Sequence, residues 1–250
     1  MYTNPDILWL NTNPYLRRFN LPVVKELGKY VDVGHWEYQQ TEDEGTSFEV
    51  AVRLLDDYIT MLNKPVHLVG HSTCGLLGWY YAHFFPEKVK SLTLLGVGVN
   101  PALDWVSYYY LWRNNWNCSQ QIVLAHLAKY LFGSQSRYYR KALVNILARA
   151  TPHSLSRHSL YKKYSYLSLP DINCSLNIIS SGEDKIVPWS EVQKWELQLP
   201  SIENIWQCPT GEHFFHYFHP QLIADKLVEF LWDQENVTYS LMVDRKTKVI

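Results

Sequence analysis

The sequence predicts an α/β fold, a mostly parallel central sheet with helices on both faces, on three grounds. Short apolar runs rich in β-branched residues alternate with segments whose apolar residues recur at helical spacing, the rhythm of parallel sheets with right-handed crossovers. The run Val66-His67-Leu68-Val69 stops at Gly70, and a helical pattern starts within two residues, leaving Ser72 on the corner. From Pro101 to Pro170 the alternation lapses into a helix-rich stretch, and then it resumes. The expected organisation is a core of residues 1–100 and 171–250 with a helical insertion at 101–170.

Taken in order, Ile7-Leu8-Trp9-Leu10 is the first strand, ended by the loop-forming cluster Asn11-Thr12-Asn13-Pro14. Leu16 to Tyr30 reads as a short helix interrupted by Pro22, and Tyr30 to Trp36 as a second strand. Glu42-Asp43-Glu44-Gly45 is a polar loop. Thr46-Ser47-Phe48-Glu49 has capping-box spacing, hydroxyl and carboxylate each satisfying an orphan N–H. Phe48, Ala51, Leu55, Ile59 and Leu62 carry that helix to Lys64-Pro65. The helix after Ser72 bears Leu76, Leu77, Tyr80 and Tyr81 and closes at Phe85-Pro86, and Ser91 to Val97 is the next buried strand. Within the insertion, Gln121–Phe132 and Arg137–Ala150 read as helices, punctuated by Gly133 and Pro152. Strands return at Leu176–Ser180 and Asn204–Gln207, with a helix around Glu191–Leu197 between them. Pro220 opens a final helix through Leu231. Val237 to Ile250 reads either as a strand pair turning near Asp244-Arg245 or as a loose tail.

Composition narrows the class. A chain of 250 residues, 47% hydrophobic and 19% charged, buries one substantial core. A net charge of −1 argues against binding a polyanion with the whole surface. No stretch reaches the ~18 apolar residues of a membrane span, and the start lacks the pattern of a signal peptide, so a cytoplasmic location is expected. Cys74, Cys118, Cys174 and Cys208 show no C-x-x-C spacing and are expected as free thiols.

A strand–serine–helix corner lifts a hydroxyl above the end of a sheet and turns the next N–H toward a developing oxyanion. In that setting Gly70-His71-Ser72-Thr73-Cys74 resembles the G-x-S-x-G nucleophile elbow of the α/β-hydrolase superfamily, with Cys74 replacing the last glycine and Gly75 following it. Two later loops resemble that family's, in its chain order. Ser181-Gly182-Glu183-Asp184-Lys185-Ile186-Val187-Pro188 matches the acid loop, with Asp184 as the acid, ahead of its neighbour Glu183 and the earlier Asp104. Pro209-Thr210-Gly211-Glu212-His213-Phe214 matches the histidine loop, with His213 as the base. The resemblance runs from Ile7 to about Asp233. The first strand matches the family's third, the antiparallel hairpin usually before it is absent, and residues 101–170 stand where the family has its variable cap.

The resemblance implies that Ser72 attacks a carbonyl, His213 acts as general base and then acid, and Asp184 orients it. An acyl-enzyme on a carboxylic ester or thioester follows, with no cofactor and no metal. Thr73 N–H is one expected oxyanion donor. Asn13, by position or through its side-chain amide, is the other, unless Asn11 to Pro14 is simply a turn cluster. The alternatives are a hydrolase-like binding or interaction protein, and cofactor-free C–C hydrolysis, perhydrolysis or lyase chemistry on the same scaffold. Cys74 is expected to pack rather than react. The H-x-x-H-x-x-H spacing of His213, His216 and His219 does not suit a metal site, because ligating histidines more often share one helical face or join thiolates or carboxylates.

The insertion holds nine Lys and Arg residues against one acid, Asp104, a net +8, while the rest of the chain carries −9. It also holds 12 of the 28 Trp and Tyr residues. A basic, aromatic cap suits a small acyl substrate with an anionic end, an anionic carrier or an anionic surface, and a solvated cationic face over an aromatic core is the plainer alternative. No nucleic-acid recognition motif accompanies it, and no nucleic-acid partner is expected.

Overall fold

Ile7 and Trp9 face one side of the sheet, Leu8 and Leu10 the other, and all four are buried. A parallel strand covered on both faces reads as an unbroken apolar run, which is why the sequence marks it so clearly. The computed structural model describes residues 4–39, 47–156, 169–199, 202 and 204–247, with side chains to residue 233. Its strands are β1 (Ile7–Asn11), β2 (Val33–Glu37), β3 (Val66–His71), β4 (Val89–Leu95), β5 (Ser175–Ser181) and β6 (Asn204–Cys208). They form one sheet in the order β2-β1-β3-β4-β5-β6, every pairing parallel, so the expected fold class is the one observed.

The helices are α1 (Leu21–Leu27), α2 (Phe48–Leu62), α3 (Thr73–Phe84), α4 (Trp105–Asn115), α5 (Gln120–Phe132), α6 (Arg137–Ala150), α7 (Trp189–Val192), α8 (Lys194–Gln198), α9 (Phe215–Phe218) and α10 (Pro220–Thr247). On one face α1 and α10 bring Val23, Leu27, Ile223 and Leu227 against Ile7, Trp9, Val69, Leu95 and Ile179. On the other, α2 and α3 cover Leu8, Leu68, Leu92 and Ile178. The helices between β4 and β5 extend this second core through Val106, Leu124, Leu127, Leu143 and Leu147.

Three local expectations need correction. Pro22 sits in the first turn of α1 rather than interrupting a longer helix, since a first-turn residue gives up no hydrogen bond by lacking an N–H. The cap of α2 is Ser47, whose Oγ accepts the Val50 N–H at 3.4 Å, one residue beyond Thr46; Thr46 and the Glu42–Gly45 loop lie outside the described residues. At the other end α10 continues to Thr247, where the alternation suggests a strand pair or a loose tail. Extending a nucleated helix adds one hydrogen bond for each residue fixed, and no Gly or Pro follows Pro220 to stop it.

From β1 the chain moves to one side of the sheet, and from β3 to the other. The carboxyl ends of these neighbouring strands therefore border a topological switch point, where open parallel sheets receive ligands. The loop carrying Asn13 follows β1 there, and Ser72 follows β3.

Close helix–sheet contact at this end rests on two glycines of α3. A Cβ on Gly75 would lie 2.8 Å from the Gly70 carbonyl oxygen, and one on Gly78 would lie 2.7 Å from Leu92 Cδ1. Backbone cannot yield as a leucine methyl can. Gly75→Ala is expected to lose about 1–3 kcal/mol. Gly78→Ala, with about 1 kcal/mol of helix propensity in its favour, is expected to stay near native. Urea unfolding of the two variants, with midpoints compared, checks the order.

Candidate active site

A serine at a helix N-cap ordinarily accepts an N–H from the first turn. Ser72 precedes α3 but makes no such bond, and its backbone sits at φ 52° and ψ −126°. Holding a non-glycine residue there costs about 1–3 kcal/mol. The corner is so tight that a Cβ on Gly70 would fall 2.4 Å from Gly75 N and 2.5 Å from the Cys74 carbonyl carbon. This accounts for the departure from G-x-S-x-G. The demand for small residues falls on Gly70 and Gly75, while the Cys74 side chain turns to Thr12 Oγ1, 3.3 Å away. Burial pushes the Cys74 thiol pKa up, so it stays protonated and a poor nucleophile.

The acid and histidine loops meet. His213 Nδ1 lies 2.8 Å from Asp184 Oδ2, and both side chains are fully buried. Asp184 Oδ1 accepts the N–H groups of Ile186 at 2.8 Å and Val187 at 2.9 Å, which fixes the carboxylate. The rival carboxylates are engaged elsewhere. Glu183 accepts the Gly211 N–H at 2.8 Å and so ties the acid loop to the histidine loop. Asp104 caps α4 through the Ser107 N–H at 2.7 Å and accepts the Ser156 hydroxyl at 2.6 Å.

With Nδ1–H directed at Asp184, Nε2 of His213 is assigned as the acceptor nitrogen. That nitrogen and Ser72 Oγ are both buried, and neither has a hydrogen-bond partner among the described residues. A Ser72–His213 hydrogen bond is therefore not made in this geometry. The residues nevertheless share one rim, since Ser72, Gly96, Asp184 and His213 follow β3, β4, β5 and β6, four neighbouring strands. Gly96, at φ +60°, lies at the centre of this arrangement. A Cβ on it would come 3.4 Å from His213 Cε1 and 3.5 Å from Asp184 Oδ2.

A family model described as alpha/beta hydrolase fold matches residues 60–220, more than half of the chain. The chain belongs to the α/β-hydrolase family. An uncharacterised protein of Nostoc sp. (strain PCC 7120) is 39% identical over 227 residues, 90% of each chain. Among solved structures, a candidate lipase from Acinetobacter baumannii AYE matches with a TM-score of 0.73 at 19% identity, over 94% of this chain and 86% of that one. A bacterial membrane phospholipase A matches with a TM-score of 0.72 at 18% identity, over 94% and 81% of the two chains. At such identities the likeness to solved structures speaks to the fold alone.

In this α/β-hydrolase the two expected oxyanion donors stand differently. Thr73 opens α3, where an N–H has no partner within the helix, and it lines the same cavity as Ser72. The Asn13 amide donates to the Ala150 carbonyl at 2.9 Å and to Ser154 Oγ at 2.8 Å, while its Oδ1 accepts the Tyr15 N–H at 3.1 Å. That side chain ties the loop after β1 to the end of α6, which leaves the Asn13 backbone N–H as the candidate donor. The cavity, bordered by Asn13, Ser72, Thr73, Trp105 and Leu155, holds about 30 Å³, room for about two waters.

Sequence reasoning missed His71 and Asn20. His71 Nε2 reaches the His213 carbonyl at 2.9 Å, and its ring centre lies 4.6 Å from that of His213 and 4.4 Å from that of His216. His216 Nε2 meets Asn20 Oδ1 at 2.9 Å. An imidazole directly before the corner serine was the available signal for His71; nothing local marks Asn20. His219, the third histidine of the spaced series, pairs instead with Thr210 Oγ1 at 2.9 Å. No group of side chains suited to a metal ion occurs among the described residues.

Burial, reinforced by neighbouring histidines, holds the His71 pKa well below its usual value and lowers that of His216 to about 3. In the unfolded chain both titrate near 6.5, so below that pH the unfolded chain binds more protons. Their contribution is complete above about pH 6.5 and is lost as the pH falls below it, for His216 down to about pH 3, by about 1.4 kcal/mol per pH unit for each such group. Urea midpoints measured from pH 7 to pH 4 should therefore fall, and His216→Gln should fall less steeply than native. Equal slopes would show that His216 is not held neutral.

Proposed function

We propose that this chain is a serine hydrolase that cleaves a carboxylic ester or thioester through an acyl-enzyme. One observation carries the reading: the buried Asp184–His213 hydrogen bond shares a rim with a strained serine whose hydroxyl caps nothing. In the proposed cycle the Ser72 hydroxyl turns to His213 Nε2 and yields its proton as Oγ attacks the carbonyl. The Thr73 and Asn13 backbone N–H groups receive the oxyanion, and Asp184 stabilises the imidazolium. His213 then protonates the departing alcohol or thiol, and water repeats the steps in reverse to release the acid. The scheme calls on no cofactor or metal.

Residues 101–170 serve as the cap in this reading. The acyl group lies between Trp105 and Leu155, which must part, because a cavity of about 30 Å³ does not admit it. The lipase and phospholipase descriptions of the structural relatives are in keeping with ester substrates. A second reading, a hydrolase-like fold kept for binding, is favoured by one observation, the missing Ser72–His213 hydrogen bond.

A fluorophosphonate probe separates the two. Covalent labelling of the native chain, abolished in Ser72→Ala, is expected from the hydrolase, whereas a folded native chain left unlabelled supports the binding reading. On a panel of acyl esters and thioesters, Asp184→Asn should lower kcat by about 10³- to 10⁴-fold, with the native fold preserved by circular dichroism.

A further inference from the structure

Charge is divided unevenly over this molecule. Residues 101–170 hold nine cations and a single acid, and that acid, Asp104, is buried and hydrogen-bonded inside. Arg113, Lys129, Arg137, Arg140, Lys141 and Arg149 are all exposed. Among them opens a groove of about 440 Å³, lined by Trp116 after α4, by Ile122, His126 and Lys129 of α5, and by Arg140 of α6. Of its apolar members Ile122 is 57% exposed and Trp116, stacked on Trp112, is 36% exposed, and Tyr138, next to Arg137, stands 87% exposed. Neither Lys129 nor Arg140 enters an ion pair among the described residues. The acid at the groove's edge is Glu212, whose carboxylate lies over Gly133.

We propose that the outer face of α4, α5 and α6 docks the protein on a bilayer containing anionic lipid. Cations would meet the headgroup phosphates while Trp116, Ile122 and Tyr138 reach past them into the apolar boundary, the pairing that interfacial segments use. An acidic protein would answer the charges but leave the exposed aliphatic and aromatic side chains unmatched. A small phosphorylated ligand would meet an open groove with Ile122, Ala125 and Trp116 in its walls. The rest of the chain carries −9 and is repelled by the same bilayer, so this face leads on approach. Val123, Leu124 and Leu127 of α5 are buried on the inward side of that helix, and none of the groove's residues borders the cavity beside Ser72. The proposal therefore holds whether or not Ser72 turns substrate over.

Co-sedimentation of the native chain with two vesicle types tests it: phosphatidylcholine alone, and phosphatidylcholine mixed with phosphatidylglycerol. Binding to the mixed vesicles only, released by high salt, is expected. A Lys129→Gln, Arg140→Gln double variant should lower the partition coefficient about 30-fold, from ~1 kcal/mol per cation. Ile122→Ser with Tyr138→Ser should lower it while leaving the salt dependence unchanged; all four positions lie on the surface, and circular dichroism confirms folding. Equal binding to both vesicles, no binding, or an unaltered double variant overturns the proposal. So does displacement by inorganic phosphate at constant ionic strength, which would make the groove a small-anion site. Capture on soluble polyglutamate without vesicle binding would assign the face to an acidic protein and overturn it as well.

Discussion

Where β3 becomes α3, two stretches of backbone cross with no room for a side chain between them. The Gly70–Gly75 contact is the constraint on which the rest of the site depends. It forces the residue between strand and helix into a left-handed conformation, and it starts the helix directly over the strand end. Ser72 is thereby denied the capping bond that would otherwise occupy its hydroxyl, and the first N–H of α3 opens onto the same cavity. A Cys at position 74 is tolerated because its side chain leaves the crossing and settles against Thr12.

The histidine loop is held from several directions at once. Asp184 fixes the ring of His213, His71 holds its carbonyl, and Glu183 holds the Gly211 N–H. From α5, between β4 and β5, Leu131 accepts the Phe214 N–H at 3.0 Å and Phe132 stacks on the Phe214 ring at 4.5 Å. Asn13 makes a comparable link from the loop after β1 to the end of α6. Both loops beside Ser72 are thus anchored to α5 or α6 as well as to the sheet. A displacement of those helices would be felt at the ring of residue 213 and at the backbone of residue 13, which is where the proposed chemistry needs rigidity.

Much of this was legible beforehand, for particular reasons. Strands buried on both faces leave continuous apolar runs, so Ile7–Leu10, Val66–Val69 and Leu176–Ser180 stood out. Helix α6 could be placed between the breakers Gly133 and Pro152, while its cap, Ser136 accepting the Tyr139 N–H, comes from the structure. The C-terminal stretch misled because β-branched residues in alternation look like a strand, whereas an established helix simply propagates through them. Asn13 stands out by its place after the first strand, but its amide is claimed by residues more than a hundred positions away.

By itself, then, the sequence determined the strands of the sheet, most of the helices between them, and the loops that carry a serine, an acid and a histidine, since local steric preference and burial periodicity leave their mark on neighbouring residues. Tertiary structure alone decided that strand order β3-β4-β5-β6 sets Ser72, Gly96, Asp184 and His213 along one rim, that His71 braces the loop of His213, and that the Ser72 hydroxyl and the His213 Nε2 are buried without meeting. Those are contacts across long separations in the chain. They depend on sheet register and on how helices pack over it, and no local propensity encodes them.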